Sequence, residues 1–503
     1  MTTPRQVVLF LAVLALFSAR EVPNAQSQVL VFRNATVIDG TGAAAQPGVT
    51  VVVTGNRITD VGPNVRVPEQ AQVVDATGKF LLPGLSDMHV HLRGETSLLD
   101  VQTYGELLFL AHGVTSVRVM AGLPVYHTMQ REIDAGRSLG PRLTISSRMM
   151  DGSMPNLLLP AAPGDAAGEE EEWRAVDAGT SIPRGYQVTT DEQAREVVVR
   201  EKANGVEFVK IHNELTPETY FALAEEARVQ GLYLAGHVPT GVSVATLSDS
   251  GMRSLEHFEG MLEGCSTRED ELLEASLDAL SLPPAERARR DVEIRRMAVD
   301  SFSAEKCAAL AVRFVRNETW LSPTFRSDEG IRALSARYAD MVKYIPDPLR
   351  ALWRQQAAAA TDTPPPSPEE QELASLVEAR TREIVAIMKR GGVQFVSGTD
   401  AGGGWRIPGI TLHEALVELN EAGLTPMEVI QAATSSPARL LRKDDELGTV
   451  QAGMLADLVL LNADPLERIG NTRAINSVVI NGRLLNRTML DEMLARLAVA
   501  NAL

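Results

Sequence analysis

Between residues 85 and 400 the chain keeps returning to one pattern: a short apolar run, a stretch of helical periodicity, then another short apolar run. Eight such runs occur, at 85–91, 114–120, 142–148, 206–212, 232–237, 253–257, 319–324 and 393–400. Runs of this length, apolar on both faces, read as buried parallel strands. The stretches 191–204, 217–230 and 303–316 between them each open near a Ser, Thr or Asp able to cap a helix. Strands alternating with helices eight times over predict an α/β fold of the (β/α)₈ barrel type, with a doubly wound open sheet as the competing arrangement.

The flanks differ. Short alternating runs at 29–32, 35–40, 49–53 and 71–75, broken by Gly, Asn and Asp, read as antiparallel strands, and similar runs return at 456–461 and 475–480. Two β-rich ends around a longer segment predict one small β-sandwich built from 28–82 plus 440–488, enclosing a barrel over 83–439. Residues 489–503 read as a terminal amphipathic helix. Two insertions stand out, 149–188 with its run of four glutamates, and 259–316 together with 326–383. In a barrel they would follow strands 3, 6 and 7 and overhang its C-terminal face. The Pro364-Pro365-Pro366 run inside the second reads as a solvated connector.

Composition narrows the function. A net charge of −17, with no basic stripe to offset it, disfavours nucleic acid and anionic membrane surfaces as partners and leaves a small-molecule substrate as the expected one. Arg5 precedes an apolar run from Val7 to Phe17, too short to span a bilayer but of secretory length, and Ala25-Gln26-Ser27 offers a small-x-small cleavage site. Residues 1–27 therefore read as a signal peptide, the other reading being a short buried helix. The mature chain is expected to be periplasmic or extracellular and free of the membrane. Cys265 and Cys307 are the two cysteines; their spacing leaves open whether they pair, and the pattern leaves a homo-oligomer open as well.

Active sites of such barrels lie where strands end at the C-terminal face. Here the runs end in residues that a core would not select: His89-Val90-His91, Lys210-Ile211-His212, Gly236-His237, Glu256-His257 and Thr399-Asp400. Strand alternation puts His89 and His91 on one face, within reach of a single metal ion. Each residue alone is ordinary, since a lone strand-end histidine is more often a hydrogen-bonded core residue than a ligand. Five of eight histidines, one rare lysine and an aspartate on one rim are not ordinary. Imidazoles with a carboxylate suit Zn²⁺ or a similar divalent ion. Arg118 and Arg148, at the ends of runs 2 and 3, are candidates to hold a substrate carboxylate or to form a structural ion pair. His212, on the same face as Lys210, is a candidate for the site's surroundings. Trp405 and Arg406, just after Asp400, are candidates to line the pocket but read better as loop-packing residues, and His112, His127 and His413 read as structural.

These motifs carry a resemblance. The stretch Pro83 to Leu92, Gly113-Val114-Thr115-Ser116-Val117-Arg118, Gly236-His237-Val238-Pro239, Leu255-Glu256-His257, Gly398-Thr399-Asp400-Ala401-Gly402 and the tail 448–464 together resemble the amidohydrolase superfamily, above all its imidazolonepropionase-like and prolidase-like members. The resemblance implies that His89 and His91 bind the more buried ion with Asp400, and that His237 and His257 bind a second. It further implies that Lys210 is carboxylated and bridges the two. Burial beside cations depresses a lysine's pKa, and only the uncharged amine adds CO₂. An unmodified Lys210 would imply one metal. The interval from Lys210 to His237 lacks the Gly-rich stretch that many dipeptidase-like members carry.

The implied chemistry is hydrolysis of an amide or peptide C–N bond in a dipeptide, an N-acyl amino acid or a cyclic amide. Asp400 would be the residue that moves the proton. A mononuclear deaminase or imidazolonepropionase-type hydrolase is the alternative, and a non-catalytic extracytoplasmic binding protein the third reading.

Overall fold

The computed structural model of the chain describes residues 29–92, 107–152, 158–160, 185–325, 330–361, 367–402 and 404–500. The signal-peptide reading of 1–27, the glutamate run and the triple proline fall outside these residues. Strands are numbered β1 to β17 along the chain. Seven of the eight runs are strands of one parallel sheet: β6 (Leu85–Val90), β7 (Val114–Val119), β8 (Arg142–Asp151), β11 (Phe208–Ile211), β12 (Tyr233–Gly236), β13 (Met252–Glu256) and β14 (Trp320–Ser322). Every neighbour pair from β6 to β14 is parallel. All six residues of β6 and of β7 are buried, as parallel strands covered on both faces must be.

The eighth run closes the sheet without forming a regular ladder. Its backbone bridges β14 at Leu321 with Phe395 and β6 at Val90 with Ala401. Hydrogen bonds from Met88 N to Ser397 O and from Asp400 N to His89 O complete the join. The barrel is thereby shut between its first and last strands. A core of Val90, Val117, Ile145, Val209, Leu255 and many others fills the space between the barrel wall and its helices.

The outer helices follow the caps that the sequence offers. Thr190 caps Asp191–Ala203, Thr216 caps Pro217–Val229 with proline in the first turn, and Ser303 caps Ala304–Arg316. Ser367 and Glu370 form a reciprocal capping box at the head of Pro368–Arg390. The region between β13 and β14 is helical as expected. There Cys265, at the end of Met261–Gly264, is bonded to Cys307 of Ala304–Arg316.

One expectation needs correcting. The run at 142–148 does not stop at Arg148, and 149–188 is not wholly an insertion. Strand β10 (Gly185–Gln187) pairs with Met149–Asp151 and lengthens β8 by three residues. Asp151, not Arg148, is the last strand residue.

Both chain ends meet in a separate eight-stranded mixed sheet. Its path runs β17 (Arg483–Asn486), β16 (Ile475–Ile480), β15 (Leu458–Leu461), β5 (Phe80–Pro83), β1 (Val29–Val37), β2 (Gln46–Thr54) and β3 (Arg57–Gly62), with β4 (Gln72–Asp75) beside β1. Alternate residues such as Leu30, Phe32, Val51, Val53, Leu458 and Leu460 build its core. The sheet curls until its two hairpin turns touch. Any Cβ at Gly482 would sit 1.8 Å from the carbonyl oxygen of Gly55, so only glycine fits there. Arg142, at the start of β8, bonds Asp457 and Asn481 and ties this sheet to the barrel. The terminal helix is Arg487–Ala500.

Candidate metal centre

The mouth of the barrel collects five imidazole rings in a continuous arc. Ring centroids are 5.5 Å apart for His91 and His89, 4.6 Å for His89 and His257, 4.3 Å for His257 and His237, and 4.5 Å for His237 and His212. Asp400 sits against the first two, its Oδ1 2.9 Å from His91 Nε2 and 3.5 Å from His89 Nε2. His89, His91 and Asp400 each bring one ligand atom within 4.8 Å of the others. His257 Nε2 and His237 Nε2 face each other at 3.2 Å.

Backbone strain aims two of these side chains. His257 and Asp400 adopt left-handed φ values of 60° and 59°, which residues with a Cβ rarely accept unless the surroundings enforce it. Strand alternation would point Glu256 and His257 in opposite directions, and the turn in φ brings both to the barrel interior. Gly402 makes the loop after Asp400 feasible, because a Cβ there would lie 2.1 Å from the carbonyl oxygen of His91.

Carboxylates and hydroxyls hold the outer nitrogens of the rings. Glu256 faces His89 Nδ1 at 2.9 Å, Glu259 faces His237 Nδ1 at 3.0 Å, and Thr324 faces His257 Nδ1 at 2.6 Å. Asp151 contacts His212 Nδ1. Asp87 accepts from the N–H groups of His89 and Thr399 and from the Thr399 hydroxyl, joining the first strand to the eighth run. Arg406 donates to Asp400 Oδ2 at 2.9 Å.

Electrostatics match a cation site. Burial holds His89 and His237 well below the usual histidine range and His257 at about 3, so these rings are neutral at pH 7 with lone pairs to offer. Asp400 is held well below the usual carboxylate range: burial pushes it up, but the hydrogen bond from His91 pulls it down. The Lys210 side chain is fully buried, and burial brings its amine down to about 8 against the opposing pull of Glu256 and Asp400. Its Nζ has no hydrogen-bond partner, nor do His89 Nε2 and His91 Nδ1. Buried polar atoms are rarely left so, and three at one mouth fit residues that hold a charged group.

Two of the sequence candidates are placed elsewhere. Arg118 is fully buried, donating to Met88 O at 2.7 Å and to Glu256 at 2.6 Å, which is a structural ion pair. Arg148 lies against the helix layer, its backbone N–H on Glu201 and its guanidinium 5.9 Å from the Tyr186 ring centre. It is not at the rim because β8 runs on past it. Asp151, Glu256, Glu259 and Thr324 were missed. The one sequence signal for them was adjacency, in Glu256-His257 and in Glu259 two positions further on.

The fold and the rim together describe a parallel barrel with a histidine, lysine and carboxylate centre at its C-terminal mouth. The amidohydrolase family model matches residues 80–282 and 320–485, more than half of the chain, and the chain belongs to that family. Among curated relatives, an adenine deaminase of Rubrobacter xylanophilus is 30% identical over 166 residues, which span 30% of this chain and 25% of that one. A dihydroorotase of Mycobacterium tuberculosis is 41% identical over 75 residues, 14% of this chain and 17% of the other. The chain thus matches about a quarter or less of these relatives' lengths. Solved structures agree over nearly the whole fold. The bottromycin amidohydrolase covers 98% of this chain and 93% of its own at a TM-score of 0.68 and 22% identity. A prolidase complexed with N-methylphosphonate-L-proline covers 92% and 100% at 0.60 and 21%.

Proposed function

We propose that the chain is a metal-dependent hydrolase that cleaves an amide or peptide C–N bond of a small substrate, a dipeptide, an N-acyl amino acid or a cyclic amide. The observation that carries the reading is the set of buried, partnerless donor atoms at one barrel mouth, His89 Nε2, His91 Nδ1 and Lys210 Nζ. His89, His91 and Asp400 would hold one divalent ion such as Zn²⁺, His237 and His257 a second, and a carboxylated Lys210 would bridge them. Bound there, such ions lower the pKa of water and polarise a substrate carbonyl.

The chain's own residues do the rest. Depressed histidine pKa values keep the ligand rings neutral near pH 7. Asp400 turns Oδ1 to the histidines and Oδ2 to Arg406, so Oδ2, the oxygen away from the histidines, is the one that would take a proton and return it to the departing nitrogen. His212, steadied by Asp151 and packed against His237, faces the substrate.

Zinc-loaded protein assayed for amine release against dipeptides and N-acyl amino acids tests this. Hydrolysis that is lost with a chelator and restored by Zn²⁺ is expected. Protein that holds zinc yet hydrolyses none of them contradicts it. The second reading, a mononuclear deaminase, is favoured by one observation: among the described residues only His89, His91 and Asp400 gather as a three-donor group. Ammonia release with one ion per chain would decide for it. Export beyond the cytoplasm is part of the proposal and is supported by the bonded pair Cys265–Cys307, since disulfides persist in oxidising compartments.

A further inference from the structure

Beneath the arc of histidines lies a fully buried polar group to which the proposed chemistry gives no task. Glu256, Arg118, Ser254 and His89 are all 0% exposed. Glu256 Oε1 takes the Arg118 guanidinium at 2.6 Å and the Ser254 hydroxyl at 2.5 Å. Its Oε2 faces His89 Nδ1 at 2.9 Å. The Arg118 Nε donates to Met88 O, the carbonyl next to His89, at 2.7 Å. Strands β6, β7 and β13 are thus cross-linked at one point below the mouth.

A buried carboxylate without a counter-charge is costly, and one facing a neutral ring needs that ring to donate. Arg118 supplies the counter-charge. With its charge matched, Glu256 can only accept, so the hydrogen of His89 must sit on Nδ1. The other nitrogen, Nε2, is then a bare lone pair. That is the atom with no protein partner, pointing toward Asp400 Oδ1 at 3.5 Å.

From this geometry we propose that Glu256, charged and fixed by Arg118 and Ser254, is a positioning residue that locks the tautomer and orientation of His89 and so sets the metal affinity of the mouth. The inference rests on the reading of the rim as a metal centre. In the other tautomer Nε2 would carry the hydrogen and the ligand position would be blocked. Carboxylates behind metal-binding histidines act in this way, and their loss typically weakens metal binding 10- to 100-fold. The lock also accounts for a polar pair in the barrel interior, where apolar residues would pack at no electrostatic cost.

Two measurements on the full protein test it. In E256Q the side-chain amide can donate to Nδ1 and release the tautomer. In E256D the charge opposite Arg118 remains, but the carboxylate withdraws from the ring. Zinc affinity by chelator competition is expected to fall about 10- to 100-fold in both. In metal-free, ¹⁵N-histidine-labelled protein the His89 Nδ1–H resonance should be present in the parent and lost or shifted in both variants. A merely structural role would lower the melting temperature and leave zinc affinity and that resonance unchanged in the folded fraction, and this result would overturn the proposal. Failure of the parent itself to take up zinc would instead overturn the metal reading, while the resonance would still report on the lock.

Discussion

Two buried histidine groups lie in this molecule, and they have been put to opposite uses. At the barrel mouth, His89, His237 and His257 are each steadied from behind by a carboxylate or a hydroxyl; in front, His237 Nε2 and His257 Nε2 crowd each other, and His89 Nε2 and His91 Nδ1 go without partners. Between the helix Ile410–Glu421 and the loop before β7, His413 bonds Thr472 with one nitrogen and the His112 carbonyl with the other, and His112 bonds Leu108. Burial pushes both groups down: His413 to about 3 and His112 to about 4, much as His257 to about 3. A depressed pKa therefore does not mark a site. What separates the two groups is where the ring nitrogens point. In one, they are aimed at backbone carbonyls and a hydroxyl; in the other, the front ones are aimed at one another or at no partner.

The largest expected contrast is in turnover. Asp400→Asn keeps the shape of the rim but removes the proton carrier, so kcat should fall about 10²–10⁴-fold while the melting temperature changes little. Full activity in that variant would sink the assignment of Asp400. His413→Leu is the converse test. It strands the His112 carbonyl, and denaturant unfolding should show about 1–3 kcal/mol of lost stability. Zinc content should not change; a loss of zinc would break the distinction between the two groups.

A smaller effect is a slope with pH. His112 and His413 titrate near 4 and 3 in the folded chain, against about 6.5 when unfolded. Between those values the unfolded chain binds more protons, so their contribution is fully present above about pH 6.5 and is lost as pH falls toward 4. Each histidine contributes at most about 1.4 kcal/mol per pH unit over that window. Unfolding curves from pH 7 to 4.5 should show the decline, and His413→Leu should flatten it. An equal slope in that variant would place the titrating group elsewhere.

The comparison also shows what could be read from sequence. Strands β6 to β14 were legible because a strand buried on both faces must be apolar throughout, and their helices because caps are local. The eighth run was legible as a position but not in kind: Gly398 and the left-handed Asp400 leave it only two bridges to its neighbours. His89, His91, Lys210, His237, His257 and Asp400 stood out because a core would not choose them at strand ends, and the structure brings them to one mouth.

Which of the two readings each arginine takes was not legible, for a geometric reason. Whether Arg118 or Arg148 faces the mouth depends on where a strand stops and how it is paired. The residues of β10 that lengthen β8 lie more than 30 positions downstream of Arg148. Glu256 was hidden by a positive φ at its neighbour, which no alternation pattern records. The pairing of Cys265 with Cys307 was likewise beyond spacing, since it follows from two helices docking after β13.

Metal stoichiometry of purified protein, measured by elemental analysis for the parent and for Lys210→Ala, tests the central claim most directly. About two zinc equivalents per parent chain and one or fewer in the variant are expected, with the parent carrying a carbamate-sized mass increment that acid removes. A parent chain that takes up no divalent metal when zinc is supplied would contradict it.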